Sequence, residues 1–208
     1  WTLAYTLTTN NSYEYMGHSV SLNTKGNVLI IGSPGYSSQN YQGIVRVYRD
    51  DGTNWVLMKT WYGPRNSSYF GNSVDINSDG NIIAIGAYGD IDNTYDVGAV
   101  YVYKWNNGLD FSSGDFTFLG GNKIDGGGNY RQLGEAVALN NAGTRLAANY
   151  KNYNSSNAGS LQVWKIADLS YETNYITISD DISGNDASFN NINLLGDICG
   201  NDVSFNNV

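Results

Sequence analysis

One phrase is written three times in this chain. It reads GHSVSLNTKGNVLIIG from Gly17 to Gly32, GNSVDINSDGNIIAIG from Gly71 to Gly86 and GEAVALNNAGTRLAAN from Gly134 to Asn149. The copies align without gaps and start 54 and then 63 residues apart. Self-similarity at such a period marks a repeat architecture. Each repeat is one supersecondary unit that cannot cover its own apolar face, so neighbours must stack.

Within a copy, the segments SVSL, SVDI and AVAL predict a short first strand with few large side chains. The runs NVLIIG and NIIAIG are nearly continuous apolar stretches, as expected of a second strand buried on both faces. Between them lie NTKGN, NSDGN and NNAGT, where Asn and Asp open a tight turn and Gly supplies the positive φ it needs. A polar loop follows, then GIVRVYR, GAVYVYK or GSLQVWK, whose alternation predicts a third strand with one face toward solvent. NWVLMKTW (Asn54–Trp61) and DFTFLG (Asp115–Gly120) predict a fourth strand, and TNYITIS (Thr173–Ser179) is a fainter third example. Each repeat is therefore expected to be a four-stranded antiparallel meander, which in size and strand count matches a propeller blade. Trp1–Thr9, WTLAYTLTT, reads as the orphan outer strand of a further blade. A closed ring needs about four to eight blades, so three repeats leave closure to something else.

Composition agrees with an all-β reading. Tyr (17) and Gly (25) are abundant and Pro (2) is nearly absent, which suits pleated surfaces joined by tight turns. The net charge of -8 and the lack of any Lys/Arg cluster argue against a nucleic-acid partner. No apolar window is long enough to predict insertion into a membrane. With one cysteine, Cys199, no internal disulfide can form. The chain opens at Trp1 in what reads as a strand, which leads to the expectation that it is a piece of a longer or processed polypeptide.

Phe70-Gly71, a Gly-bearing hairpin and then Gly86-Ala87 resemble the FG-GAP repeat of integrin-α-like β-propellers. The first copy departs as Met16-Gly17 with Gly32-Ser33-Pro34, the third further, as Leu133-Gly134 with Asn149-Tyr150. The resemblance covers about residues 1–175 and is closest to forms common in large extracellular bacterial and viral proteins. It implies a domain of propeller-like blades over residues 1–178, with repeats at about 12–62, 63–125 and 126–178. Some blades of the family carry a calcium loop of spaced carboxylates. Here GDIDNTYD offers Asp90, Asp92 and Asp96, with Asn93 between them, and alternating oxygens on a tight loop suit a hard cation. The alternative is a solvated turn whose Asp side chains hold nearby backbone N–H groups.

Residues 179–208 differ in composition. DISGNDASFNNINLLG and DICGNDVSFNNV place Asp181 and Asp197, and Phe189 and Phe205, each 16 residues apart. One such repeat cannot bury Phe189 or Leu194 alone, so a short β-solenoid or an intertwined trimeric shaft is expected, against the alternative of a disordered linker. This tail resembles the fibre-like repeats of structural proteins of large DNA viruses and phages.

Catalytic chemistry has few candidates. His18 is the single histidine, and its repeat equivalents are Asn72 and Glu135, so a hydrogen-bonding role outweighs a triad. Gly120–Asn129, GGNKIDGGGN, lacks the strand–loop–helix setting of a phosphate loop and reads as a long mobile insertion. Asp75 and Glu135 fall on equivalent first strands of adjacent repeats and form the one carboxylate pair that glycosidic chemistry could use. The expectation is that they simply present polar side chains to the channel. Three Asn-x-Ser/Thr acceptors, Asn10, Asn66 and Asn154, matter only in a secretory compartment.

The loops PGYSSQNYQG, AYGDIDNTYD and YKNYNSSN combine Tyr with Ser, Asn and Gly. That is the composition of adaptable recognition surfaces, and it suits stacking on sugars. Tyr36, Tyr41, Tyr88, Tyr95 and Tyr153 are the binding candidates. The reading is a non-enzymatic display or adhesion module, extracellular or on a virion surface, contacting a cell-surface glycan or protein receptor and forming a homo-oligomer, a trimer for preference, through its tail. A purely structural spacer is the alternative, and a fragment of a propeller glycosidase or lyase a more distant third.

Overall fold

The Asn-led turn folds the same way in all three repeats. The backbone N–H groups of Gly26, Gly80 and Gly143 donate to the carbonyls of Asn23, Asn77 and Asn140 at 2.9, 3.0 and 2.8 Å. All three glycines have φ between 68° and 80°, where a Cβ would be strained. The Asn side chain then anchors the returning strand. Asn23 Oδ1 accepts from the N–H groups of Asn27 and Val28, Asn77 Oδ1 from Asn81 and Ile82, and Asn140 Oδ1 from Arg145. Each repeat thus uses an Asn to hold a hairpin of fixed register.

In the computed structural model, the described residues are 1–36, 40–92, 95–107, 114–119, 123–127, 130–151 and 159–166. The chain divides into two units, Trp1–Tyr171 and Glu172–Val208, and every described residue falls in the first. The described part is all-β, with no helix. The first repeat is a four-stranded antiparallel sheet, β1 (Ser19–Leu22), β2 (Val28–Ser33), β3 (Ile44–Asp50) and β4 (Trp55–Tyr62), paired in chain order. In the second repeat, β5 (Ser73–Ile76) and β6 (Ile82–Ala87) are followed by a two-residue hairpin, β7 (Ile91–Asp92) and β8 (Tyr95–Asp96), then β9 (Ala99–Trp105). Its outer edge is shared by β10 (Phe116–Phe118) and β11 (Ile124–Asp125), which pair with opposite ends of β9. The third repeat pairs β12 (Leu133–Leu139), β13 (Arg145–Tyr150) and β14 (Ser160–Lys165).

Two expectations change here. Trp1–Thr9 forms no strand, and a segment without a paired neighbour has no ladder hydrogen bonds to hold it extended. Part of the Gly-rich insertion after Gly120 is built into the sheet, since Ile124 and Asp125 pair with Val100 and Ala99. The fourth strand expected at Thr173–Ser179 and the fibre-like tail lie outside the described residues.

The repeats stack through their first three strands. Val28, Ile30, Val45 and Val47 of the first repeat form one buried cluster with Phe70, Val74, Ile76, Ile83 and Ile85 of the second. Ile82, Ala84, Val100 and Val102 of the second repeat do the same with Leu133, Leu146, Ala148 and Tyr150 of the third, joined by Val137 and Leu139. The second strand of the middle repeat therefore faces a different neighbour on each side, which explains its unbroken apolar run: every residue of β6 is buried. At the first strands the backbones come closer than a side chain allows. A Cβ on Gly32 would lie 2.0 Å from the Gly71 carbonyl oxygen, and one on Gly86 would lie 2.1 Å from that of Gly134. The glycines closing the repeated phrase are thus points where the next repeat's backbone is seated.

Polar contacts tie the same strands. Asp75 Oδ1 accepts from the Ser21 hydroxyl at 2.8 Å, and Oδ2 from the Leu139 N–H at 2.7 Å. The Val74 N–H donates to Ser19 Oγ, and the Ser73 hydroxyl to the Gly134 carbonyl.

Candidate functional site

Before each repeat's opening glycine the chain takes an unusual path. Tyr13 and Tyr15 before Gly17, Ser67 and Tyr69 before Gly71, and Tyr130 and Gln132 before Gly134 all have φ between 50° and 61°. A non-glycine residue in this left-handed region costs about 1 kcal/mol or more, and such strain gathers at functional sites. The strain places two of these tyrosines over glycines of the same repeat. A Cβ on Gly35 would lie 2.2 Å from the Tyr15 ring, and one on Gly89 would lie 2.8 Å from the Tyr69 ring.

The result is a tyrosine ladder crossing from the first repeat to the second. Tyr41, itself at φ 46°, stacks on Tyr69 with centroids 5.2 Å apart and planes 22° apart. Tyr69 stacks in turn on Tyr88 at 4.7 Å and 17°. Lys151 Nζ lies 5.8 Å from the Tyr88 centroid and 2.9 Å from Glu135 Oε1, a cation–π contact that extends the ladder to the third repeat. Burial, and after it the neighbouring Tyr69 and the Glu135 carboxylate, push the Tyr88 phenol up to about 12.

Beside the ladder opens a pocket of about 310 Å³, whose wall is completed by Tyr15, Pro34 and Gly35 and whose polar groups are His18 and Asn72. His18 and Asn72 are repeat equivalents, held by the same turn: their N–H groups donate to the carbonyls of Tyr15 and Tyr69 at 3.1 and 3.0 Å. A concave, largely aromatic wall with two side-chain hydrogen-bonding groups is the usual make-up of a small-ligand site.

Of the expected binding residues, Tyr41 and Tyr88 line this pocket. Tyr36 packs instead on Tyr62 at the outer strand, with centroids 5.4 Å apart. Tyr95 pairs with Asp92 across the β7–β8 hairpin, and the side chains of both lie outside the described part. Tyr153 lies outside the described residues altogether. Tyr15, Tyr69 and Pro34 were not expected. Their signal was present, since Tyr15 and Tyr69 both stand two residues before the repeat glycine, in YMG and YFG.

Asp90, the first of the calcium candidates, is fully buried. Its Oδ1 lies 3.0 Å from Arg65 Nε, and its Oδ2 takes Lys123 Nζ and the Tyr101 hydroxyl, each at 2.6 Å. Burial, with the Asp90 hydrogen bond second, raises the Tyr101 phenol well above its ordinary value. A calcium ion on Asp90 would have to displace two cations. Asp96 is half-buried in β8, and among the described residues no group of three His, Cys, Asp or Glu side chains is arranged to hold a metal. The carboxylates of Asp75 and Glu135 are engaged separately, Asp75 with Ser21 and Leu139 and Glu135 with Lys151.

Stacked antiparallel meanders bearing this geometry make a β-propeller-type module. Residues 64–103, which span the opening glycine and most of the second repeat, match the family model of the FG-GAP repeat. No curated protein matches the chain. Among solved structures the chain is similar to a putative 6-phosphogluconolactonase from Bacteroides uniformis, at 12% identity and a TM-score of 0.44 over 70% of this chain. The chain spans about a third (35%) of that protein's length, and likeness at this level assigns neither fold nor activity.

Proposed function

We propose that this chain is a non-enzymatic recognition module of an extracellular or virion-surface protein, and that it takes a cell-surface glycan in the pocket beside the tyrosine ladder. The observation that carries the reading is the convergence of Tyr15, Tyr41, Tyr69 and Tyr88 from two repeats around one concavity. Three of the four hold left-handed backbone, a cost that packing alone does not require of a surface tyrosine. Ring surfaces favour the C–H faces of a sugar, while His18 and Asn72 can bond its hydroxyls. Non-enzymatic recognition is favoured because the nearby acids, Asp75 and Glu135, are engaged in holding repeats and pairing Lys151.

The test is a glycan array followed by titration of the best binder against the intact protein, with Tyr69→Ala and Tyr41→Ala as variants. Loss of binding in both, with each variant still folded at the assay temperature, supports the pocket. Equal binding by wild type and both variants would remove it as the site.

A further inference from the structure

No Lys or Arg lines the pocket, and the charge nearest its Tyr88 wall is mostly negative. Glu135, on β12, accepts at its backbone carbonyl from the Asn72 side chain at 3.0 Å, which ties it to the pocket wall. Asp96 takes in the second repeat the place that Tyr41 has in the first. Each stands two residues before the glycine, Gly43 or Gly98, that leads into the third strand. The chain is held alike there: the Phe70 N–H donates to the Gln42 carbonyl, and the Leu133 N–H to that of Val97. The repeat thus sets an aromatic ring on one side of the Tyr69–Tyr88 pair and a carboxylate on the other.

Both carboxylates act on the Tyr88 ring. Burial comes first and Tyr69 next, and the negative charges of Glu135 and Asp96 add to the same upward push on the phenol. Anions that disfavour a phenolate at this place disfavour the carboxylate or sulfate of a ligand for the same reason. The cations that could offset them are engaged. Lys151 Nζ lies over the Tyr88 ring but is paired with Glu135 at 2.9 Å, and Arg65 and Lys123 converge on the buried Asp90. Two carboxylates therefore stand against one ammonium beside Tyr88, and the net charge of -8 on the chain adds to the repulsion of an anion.

We propose that the pocket beside the tyrosine ladder selects uncharged glycans, and that Glu135, by holding Lys151 and together with Asp96, is the residue that turns sialylated, uronic-acid and sulfated sugars away. The inference rests on the glycan reading of this pocket and adds the class of sugar it takes. Lys151 gives the choice its sign. Its side chain is 51% exposed, and without Glu135 its ammonium is free, over a ring of the pocket wall, to pair with an acid group.

The experiment uses an array of matched sets, each a neutral oligosaccharide beside its sialylated, uronic-acid and sulfated forms. The best-binding set is then titrated against the full chain at low and high salt. In wild type the neutral member should bind at least about tenfold more tightly than its acidic forms, and salt should narrow that ratio by screening the repulsion. Glu135→Gln should close or reverse the ratio, and Glu135→Gln/Lys151→Ala should bring it back toward wild type. Asp96→Asn, which leaves the Glu135–Lys151 pair in place, should move it in the same direction as Glu135→Gln. A far-UV spectrum checks that each variant is folded. An acidic form that binds wild type as well as its neutral parent, or a ratio that neither Glu135→Gln nor Asp96→Asn moves, would overturn the proposal and leave the pocket as the site. If no member of any set binds, the glycan reading itself falls and takes this inference with it.

Discussion

The Asp75 carboxylate touches all three repeats' first strands: it sits on β5, accepts from Ser21 on β1 at 2.8 Å, and accepts from the Leu139 N–H of β12 at 2.7 Å. Replacing it by Asn puts an amide N–H against a donor on one side or the other. Asp75→Asn is expected to cost about 1–3 kcal/mol, the penalty of an unsatisfied partly buried donor. A lower melting temperature that remains one cooperative transition is the readout, and an unchanged melt would show that the bridge is incidental.

Gly86→Ala tests the seating of one repeat on the next. The added Cβ would lie 2.1 Å from the backbone oxygen of Gly134 and cannot be relieved by turning a side chain. The strands must part, at a cost of about 1–3 kcal/mol or more. Gly52→Ala meets nothing within 4 Å and carries the strain of its positive φ alone, which makes it the control. Denaturant midpoints should fall further for Gly86→Ala.

Glu14 sets an acid limit on stability. Burial pushes its carboxyl up, but hydrogen bonds from Arg46, Thr9 and Asn11 outweigh burial and hold it below the ordinary 4.5. A folded-state value below the unfolded one means the stabilisation is complete above about pH 4.5 and is lost as pH falls through the folded value. At pH 7, Glu14→Gln should lower stability by about 1.5–3 kcal/mol, the worth of charge-assisted bonds. The gap between wild type and variant should close as pH falls through that folded value. A gap that widens in acid would contradict the pairing.

The buried carboxylate of Asp90 neutralises Arg65 and Lys123 together. Asp90→Asn leaves both cations without it, and about 1.5–3 kcal/mol of stability, the worth of charge-assisted bonds, is expected to go. With the carboxylate so occupied, calcium at about 1 mM, where extracellular calcium modules fill, should leave the wild-type melting temperature unchanged. A rise of several degrees would show that calcium displaces the pairs.

Tyr69 is the middle rung of the ladder, stacked on both faces. Tyr69→Ala removes two aromatic contacts worth about 0.5–1.5 kcal/mol each, and with them the ordered wall of the pocket. Ligand affinity should fall at least about tenfold while Tyr36→Ala, which removes a ring outside the pocket, leaves it within twofold. Equal losses from the two variants would point away from the ladder.

Repeats, hairpins and buried second strands were legible because their causes are local. Asn23, Asn77 and Asn140 each cap a turn within five residues, and an apolar run such as Ile82–Ala87 can be satisfied only between two neighbours. Spacing along the chain reports which oxygens of Asp90, Asp92 and Asp96 can meet, and says nothing of Arg65 and Lys123 arriving at Asp90 from elsewhere. Tyr36 and Tyr41 share one loop and looked alike; packing sends one to Tyr62 and the other to Tyr69.

By itself the sequence determined the unit: a meander with a fixed turn and, in the first two copies, a doubly apolar second strand and a glycine at each end of the phrase. It did so because a two-residue side-chain period and the φ demands of a tight turn act over a few residues. Only the tertiary structure decided which side chains of different units meet. Stacking brought Tyr15, Tyr41, Tyr69 and Tyr88 around one pocket, gave Asp75 to three strands, and left Val20, Leu22, Leu161 and Val163 uncovered. The distance and angle between repeats fix those meetings, and they arise from the close approach of backbones at Gly32 and Gly86.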